Sequence, residues 1–459
     1  MTSYDAKHQQ GLVDLGARIV EQAKKAGADV AEAVVGEGRH LSTKVRLGAP
    51  ELVEEAGSRA VGLRVMLGQQ VAVSYTSDLS DEGIARFVED AVELARLSQP
   101  DPFAGPPDPS LLSKREQHAE LDLFDPTIDS IDGATALAHA LAGEKAALGY
   151  DPRVTNSEGA SFSRVSGARA IVTSGGFAGV SRGTYASLTV SPVVDDEGGK
   201  KRSGYHWTAK RHYKGLESDD AVGREAARRT LAKLGAKKVE TQEVAVVFDP
   251  DVARSLVGLL AGCINGGGIW RRSSYLLDRV GTKVASELVT IVDDPLVPSG
   301  PGSRAYDGEG LLSRVNTVVD AGVLRTYLLD TYSAKKLGLA STASASRGGS
   351  GGVSPGTTNF YLRPGTMTPQ EILKSTPRGL YVTEMMGFGF NGVTGDFSRG
   401  AAGFWIENGE KTFPVSEVTI SLNLDQLLQR IDAVGNDLDL KSAVASPTIR
   451  VSAMTLAGR

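Results

Sequence analysis

This sequence has one cysteine, no histidine after His212 and no long apolar run, and each of these features excludes a class of protein. The single cysteine of the 459-residue chain, Cys263, excludes an internal disulfide framework and a cysteine-rich zinc ribbon. No apolar run reaches the roughly 18 residues of a membrane span, and the first residues, MTSYDAKHQQ, contain no apolar signal-peptide segment. We therefore expect a cytoplasmic protein that is not inserted in a membrane.

The sequence also has few histidines and no excess of positive charge. All six histidines lie at or before His212, so the second half of the chain has no imidazole that could act as a base or bind zinc. The net charge of −5 at pH 7 leaves no basic excess to release counterions from nucleic acid. We expect no direct nucleic-acid binding.

The pattern of apolar residues predicts an α+β protein, with an N-terminal α/β domain over residues 1–238 and a β-rich C-terminal domain over residues 239–459. In the first half, helices are predicted over Leu12–Ala26, Ser80–Ala95, Ser130–Leu148 and Ser218–Leu234, and strands over Val30–Val35, Val61–Leu67, Val71–Tyr75, Ser161–Thr173 and Thr184–Val194. From Glu243 onward short strands and glycine turns prevail, with short helices expected near Val252–Leu260 and Asp425–Val434.

Three short motifs resemble catalytic signatures, but the residues around them favour structural interpretations. Gly387–Gly392 has the G-x-G-x-x-G spacing of a dinucleotide site, yet no helix pattern follows to bind a pyrophosphate. Ser350 and Ser354 match G-x-S-x-G within the stretch Arg347–Gly356, whose glycines cannot pack a core and predict a mobile loop. We therefore expect turns at these positions instead of a nucleotide site or a serine hydrolase.

The remaining histidines and acids admit two interpretations each. His206 and His212 could bind a metal, but because no H-E-x-x-H helix contains them we expect exposed polar side chains. The acids Asp293–Asp294 and Asp307/Glu309 could serve in acid–base chemistry or bind a hard cation. Turn and cap roles are the structural alternative for such acids.

Longer motifs follow one another in a fixed order through the chain. They are NSEGASFS at residues 156–163, LVGLLAGCINGGGIWRRSS at 256–274, YDGEGLLSR at 306–314, GVLRTYLLDTYS at 322–333, GVTGDFSRG at 392–400 and PVSEVTISLN at 414–423. Together these motifs resemble the TldD/PmbA family, the modulators of DNA gyrase, along nearly the whole chain. The resemblance implies the same α+β fold.

The family has two branches, which differ at a metal site. TldD-like members carry an H-E-x-x-x-H zinc helix in the segment that corresponds to Val257–Ile264, and a cysteine near the C-terminus is their third ligand. The present chain has the degenerate set Val257, Gly258, Gly262 and Cys263 in that segment. No cysteine follows Asp437, and Cys263 lies on a predicted helix face, where we expect a small buried side chain. The chain therefore resembles the PmbA branch, also called TldE, which lacks the ligands and pairs with TldD.

This resemblance implies no catalytic residue, no metal ligand and no cofactor in the chain, with zinc held by a TldD-like metallopeptidase partner. The implied complex processes or degrades peptides and unfolded small proteins, and a homodimer is expected when the partner is absent. Gly266, Gly267 and Gly268 are expected to be structural, ending the preceding helix with a positive φ at one or more positions. Glu384 and Asn391 are the candidates for peptide contact.

Two other functions stay open at this stage. One is a self-standing homo-oligomeric peptidase whose metal site lies outside the recognisable motif. The other is a peptide-binding protein without protease activity. A neighbouring gene for a chain with H-E-x-x-x-H favours the subunit over both.

Overall fold

The computed structural model describes residues 4–459, which divide into an α/β region and a strand-rich region. The predicted α+β fold class is confirmed. The boundary after residue 238 stays a proposal, and we refer to the N-terminal part (residues 4–238) and the C-terminal part (residues 239–459). None of the helices within the described residues has both the length and the apolar character that a membrane span needs.

One long antiparallel sheet with flanking helices forms the N-terminal part. Its elements are α1 (Ala6–Lys25), β1 (Val30–Arg46), β2 (Ala49–Leu67), β3 (Gln70–Thr76), α2 (Asp81–Leu97), α3 (Pro126–Asp129), α4 (Gly133–Leu148), β4 (Asn156–Thr173), β5 (Ala178–Asp195), β6 (Lys201–Ser203), β7 (His206–Lys210) and α5 (Asp219–Leu231). The strand order is β3-β2-β1-β4-β5-β6, and β7 pairs with β5.

Local sequence signals account for much of this part. Ser80 and Ser218 each accept the N–H three residues further on, at the starts of α2 and α5, as predicted. The predicted hairpin is confirmed by the pairing of β2 with β3. Strand β1 is longer than the predicted Val30–Val35, because its polar second half is paired on both sides, with β2 and β4.

The two faces of this sheet are covered by different parts of the molecule. Side chains at odd positions of β1, such as Val35 and Leu41, share one face, since successive residues of a strand alternate. Helices α1, α2, α4 and α5 cover that face. On the opposite face, Val34 packs in one apolar cluster with Tyr306, so the C-terminal part covers this side of the sheet.

The C-terminal part contains two mixed sheets, a small hairpin and short helices. Its elements are β8 (Gln242–Phe248), α6 (Pro250–Cys263), α7 (Gly266–Trp270), β9 (Ile291–Asp293), β10 (Asn316–Asp320), β11 (Val323–Leu324), α8 (Thr331–Leu337), β12 (Ala345–Arg347), β13 (Val353–Pro355), β14 (Phe360–Leu362), α9 (Pro369–Lys374), β15 (Arg378–Met386), β16 (Asp396–Glu407), β17 (Glu410–Asn423), α10 (Leu424–Gln429), β18 (Ile431–Val434), β19 (Val444–Ala445) and β20 (Ile449–Ala457).

Helix α6 lies between the two sheets of this part. One sheet has the order β17-β16-β15-β8-β20-β18 with an additional pairing of β17 with β20, and the other has the order β11-β10-β9-β14-β19. The helix contacts β15 of the first sheet and β14 and β19 of the second. Its apolar face joins the large core of the C-terminal part.

Two predictions for the C-terminal part are wrong. The helix predicted over Asp425–Val434 ends at Gln429, because the β-branched segment Ile431–Val434 pairs with β20 as strand β18. The stretch Arg347–Gly356 is a hairpin instead of a mobile loop, with β12 and β13 paired antiparallel. Its first residue, Arg347, is buried, so a contact distant in sequence orders a segment whose one aliphatic side chain besides Pro355 is Val353.

Candidate functional site

Helix α6 occupies the segment that the family resemblance aligns with the zinc helix of TldD-like members. Val257 and Cys263 face the apolar core, whereas Gly258 is half-buried and Gly262 is exposed. The partly or fully accessible positions of the segment are Gly258, Leu259, Ala261 and Gly262, none of which has a side-chain atom that could bind a metal.

The thiol of Cys263 is the one candidate ligand atom among these four residues, and its surroundings oppose metal binding. Burial raises the pKa of the thiol to about 12, whereas a zinc ligand must be a thiolate. Catalytic zinc also needs about three protein ligands. Within residues 4–459 no three His, Cys, Asp or Glu side chains lie close enough together to hold a metal ion. The residues present at α6 thus do not fit the zinc of TldD-like subunits.

The three glycines after α6 differ in conformation from the prediction. Gly266–Gly268 begin helix α7 and have negative φ, so the expected left-handed end of α6 is wrong. Steric space requires glycine at the first position in particular. A Cβ at Gly266 would lie 2.6 Å from the Leu329 side chain and 2.7 Å from the Ser333 hydroxyl, whereas the nearest atom at Gly268 would be 3.8 Å away.

The loop between β15 and β16 lies against the end of α6 and exposes apolar side chains. The Tyr275 N–H donates to the Gly392 carbonyl at 2.9 Å, and a Cβ placed at Gly392 would lie 4.0 Å from the Sγ of Cys263. Phe388 is 97% exposed. We call the exposed apolar residues of this loop the apolar tip: Met386, Phe388 and Val393. Exposed apolar groups of this kind are typical of interaction surfaces.

The candidate peptide-contact residues lie in and after β15. Glu384 is half-buried and forms an ion pair with Lys233 of the N-terminal part, while Asn391 is exposed in the loop. Over Gly379–Val382 both sides of β15 are paired, with β8 and β16, which leaves no main-chain edge there for a peptide. Peptide contact at Glu384 and Asn391 stays a prediction. Gly387–Gly392 lies in the connection between β15 and β16 and is not followed by a helix, as expected.

Asp293, Asp307 and Glu309 are buried carboxylates that accept main-chain N–H groups of turns and loops. Asp307 accepts the N–H groups of Glu309 and Leu311 at 2.9 and 3.0 Å. Glu309 accepts the N–H and the hydroxyl of Thr331 at 2.9 and 2.7 Å. Burial raises the pKa of Asp293 to about 6 and that of Glu309 to about 8. Of the two interpretations offered by the sequence, these contacts support the structural one.

The two candidate histidines, His206 and His212, occupy different environments. His206 in β7 is buried, and its Nε2 lies 3.0 Å from a carboxylate oxygen of Glu217. The prediction that His206 is exposed is wrong, because the pairing of β7 with β5 turns its side chain inward. His212 is half-buried, and its Nε2 lies 2.8 Å from the carbonyl oxygen of Asp122.

A buried ion network, absent from the predictions, joins the two parts. Glu32 in β1 is 1% exposed and lies 2.6 Å from Arg347 in β12 and 3.2 Å from Arg64 in β2. Burial opposes the charge of Glu32, but the two guanidinium groups bring its pKa below the ordinary value. The available signal was a lone acid between Ala31 and Ala33 in an apolar strand.

A cavity of about 740 Å³ lies beside this network, between β5 and the C-terminal part. Its lining includes five arginines: Arg115, Arg169, Arg182, Arg304 and Arg347. Of these five, Arg347 alone has a carboxylate partner at ion-pair distance within the described range 4–459. The cavity was also not predicted, although Arg169 between two alanines of β4 was a visible signal.

Comparison with known proteins gives matches along nearly the whole chain. Residues 31–95, 126–234 and 241–458 match, in this order, PmbA/TldA metallopeptidase domain 1, central domain and C-terminal domain.

Relatives and a solved structure agree with these matches. Metalloprotease PmbA of Escherichia coli O157:H7 is 37% identical over 432 residues, which cover 94% of this chain and 93% of that protein. The Metalloprotease PmbA homolog of Haemophilus influenzae is 36% identical over 442 residues, covering 96% and 94%. A crystal structure described as a modulator of DNA gyrase, from Bacteroides thetaiotaomicron, has a TM-score of 0.91 at 27% identity and covers 99% of this chain and 100% of its own.

Proposed function

The chain belongs to the PmbA/TldD metallopeptidase family, and from that membership we propose that it is the non-catalytic, TldE-type subunit of a two-chain peptidase. In this proposal a TldD-like subunit holds the zinc, and the complex processes or degrades peptides and unfolded small proteins in the cytoplasm. The present chain shapes or closes the shared cavity and leaves the hydrolysis to its partner.

The residues of α6 carry this proposal. The chain keeps the fold of a similar solved structure over nearly its whole length, and the helix packs between two sheets. At the same segment the accessible positions carry only glycine or aliphatic side chains, and burial raises the pKa of the Cys263 thiol to about 12. A chain that keeps the fold but lacks the zinc-ligand side chains of TldD-like members is expected of a subunit that shapes the complex and does not itself hydrolyse the substrate.

We assign the contact with the TldD-like subunit to the apolar tip. Burying a phenylalanine as exposed as Phe388 is worth about 2 kcal/mol to an interface. The loop that carries the tip also contacts the end of α6 through Gly392, so a partner bound there lies next to the degenerate segment. When the partner is absent, the same apolar side chains favour a homodimer.

A mixing experiment tests the proposal. Casein cleavage is measured with this chain alone, with a TldD-like chain alone and with the mixture, each with and without a zinc chelator. We expect the mixture to exceed both single chains and to lose its activity with the chelator. Metal analysis should find zinc with the TldD-like chain and none in stoichiometric amount with this chain. Chelator-sensitive cleavage by this chain alone would instead support a self-standing peptidase.

Variants locate the contact. Phe388→Ser should abolish co-purification with the TldD-like chain and the gain in activity of the mixture. Leu97→Ser is the matched control, because Leu97 is also a strongly exposed apolar residue but lies at the end of α2, in the N-terminal part. Equal behaviour of the two variants would contradict a contact at the apolar tip. A wild-type chain that binds peptides but neither cleaves them nor enhances a partner would be a peptide-binding protein.

A further inference from the structure

The cavity beside the buried ion network is more cationic than the protein around it. The whole chain has a net charge of −5, yet the cavity lining holds five arginines against Glu120, Asp122 and Asp307. The carboxylate of Asp307 is already bound to N–H groups of its own turn. Positive charge that the protein does not neutralise attracts an anion.

Two of these arginines have N–H groups without a protein acceptor. Arg304 donates through Nη1 to the Ala345 carbonyl at 2.7 Å, but its Nε and Nη2 have no acceptor among residues 4–459. Arg169 donates through Nη2 to the carbonyls of Arg347 and Gly348, and its Nε has no acceptor in the same described range. Burial and the neighbouring guanidinium of Arg347 lower the pKa of Arg169. A bound anion would offset this repulsion.

The cavity also borders a free strand edge. Strand β5 pairs with β4 along its length, but on its other side it pairs with β7 and β6 only over residues 186–190 and 193–195. Between Ala178 and Gly183 no strand within the described residues pairs on that side, and the edge closes at Thr184, whose N–H donates to the Leu123 carbonyl at 3.0 Å. Val180, Ser181 and Arg182 of this free edge line the cavity. An extended peptide can bind such an edge through its main chain.

The arginines flank this edge on both faces of the sheet. Arg169 is paired with Ser181, and Ala168 is paired with Arg182, so the two arginine side chains leave the sheet on opposite faces. Arg182 lies with its guanidinium 4.3 Å from the Phe124 ring centroid and has no carboxylate partner within ion-pair distance in the described range. The side chains of an extended peptide along the edge alternate between the two faces of the sheet. An acidic side chain therefore meets a guanidinium on either face.

We propose that this cavity binds an extended peptide that carries a carboxylate, with the peptide main chain along the β5 edge and the carboxylate on Arg169 or Arg182. The inference rests on the proposed function in taking a peptide as the ligand. A planar carboxylate matches the guanidinium fork. The buried Asp307 in the same lining disfavours a multiply charged phosphate.

Calorimetric titration of the full chain, without a partner subunit, tests this site. The probes are acetyl-Ala-Ala-Ala-Ala with a free C-terminus, acetyl-Ala-Ala-Glu-Ala-amide, acetyl-Ala-Ala-Gln-Ala-amide and inorganic phosphate. We expect one or both carboxylate peptides to bind at least about tenfold more tightly than the glutamine peptide. The stronger of the two identifies the carboxylate as C-terminal or side-chain. Equal binding of the glutamate, glutamine and free C-terminal peptides, or tighter binding of phosphate, would overturn the proposal.

Variants connect the binding to the arginines. Arg169→Gln and Arg182→Gln should each reduce the affinity for the preferred carboxylate peptide, and the double variant should remove the preference over the glutamine peptide. Arg169→Lys keeps the charge without the fork and should retain part of the affinity. Arg325→Gln is the control, since Arg325 forms an exposed ion pair with Asp320 and does not line the cavity. Unchanged affinity in the double variant would overturn the assignment. Because the assay needs no cleavage and no partner, its failure is distinguishable from failure of the subunit proposal.

Discussion

Glu32 at the boundary between the two parts and Glu309 in the C-terminal part are equally buried, at 1% and 2% exposure, yet differ in charge. Glu32 contacts two guanidinium groups, and its pKa is lowered. Glu309 contacts the N–H and hydroxyl of Thr331, and burial raises its pKa to about 8. The cations that the fold brings to a buried acid, and not burial alone, decide whether it is ionised.

The arginines at the boundary between the two parts also differ in how many of their N–H groups have a partner. Arg347 uses Nη2 on Glu32, Nε on the Gly308 carbonyl at 2.6 Å and Nη1 on the Gly351 carbonyl at 3.0 Å. Arg304 leaves Nε and Nη2 without a protein acceptor in the described chain. A fully paired arginine holds the two parts together, whereas Arg304 keeps two buried N–H groups unsatisfied beside the cavity.

Breaking the paired network should have the largest effect on stability. Glu32→Gln leaves Arg64 and Arg347 buried without a counter-charge, so we expect a loss of about 3 to 5 kcal/mol, measured by urea unfolding. The control is Glu93→Gln, which breaks an exposed ion pair with Arg96 on α2 and should cost less than about 1 kcal/mol. A loss no larger than in the control would mean that the network does not join the two parts.

Neutralising the unpaired acid should change the pH dependence of stability. Folded Glu309 keeps its proton up to about pH 8, whereas the unfolded chain releases it near the ordinary pKa of 4.5. The folded state therefore binds more protons between these values, and wild-type stability falls as the pH rises through them. Glu309→Gln has no proton to lose and should be more stable than wild type by about 4 kcal/mol at about pH 8.5, with no difference at about pH 4.

Urea midpoints across this pH range measure the Glu309 effect. Glu287→Gln serves as the control, because Glu287 is exposed and pairs only with Lys283 on the surface. Its stability should follow the wild-type pH profile within about 0.5 kcal/mol. Parallel profiles for wild type and Glu309→Gln would show that Glu309 is ionised in the folded protein.

Removing the unpaired arginine should have the smallest effect. Arg304→Met loses the bond to the Ala345 carbonyl, but that oxygen also accepts the Gly308 N–H at 2.7 Å and stays satisfied. Because two buried N–H groups without acceptors disappear as well, we expect a change below about 1 kcal/mol. The same substitution at Arg347 should cost about 3 kcal/mol. Equal losses at the two positions would remove the distinction between paired and unpaired arginines.

The sequence predicted elements whose causes lie close together along the chain. Ser80 and Ser218 cap helices because a hydroxyl three residues before an N–H can reach it in any fold. The β2–β3 hairpin follows from alternation around one turn. The helix predicted over Asp425–Val434 was wrong in its second half. That half pairs as a strand with β20, which lies outside the local sequence pattern.

In the candidate site, too, features with local causes could be predicted and features with distant causes could not. The residues of the degenerate segment, from Val257 to Cys263, could be identified by their order among family motifs. The φ of Gly266–Gly268 could not, because glycine adopts both signs and only the start of α7 selected the negative one. The burial of His206 depended on β7 joining β5, which its own neighbours do not specify.

By itself, the sequence determined the family, the α+β class and the lack of zinc-helix ligands in α6, because these depend on residue identity and local order. The tertiary structure alone decided that Arg347, in a glycine-rich stretch, contacts Glu32, which lies 315 positions earlier in the chain. It also decided that Arg169 and Arg304 line one cavity without a carboxylate partner at ion-pair distance in the described residues. Charge and burial are properties of neighbours in space. A sequence pattern reports such neighbours only when they are also neighbours along the chain.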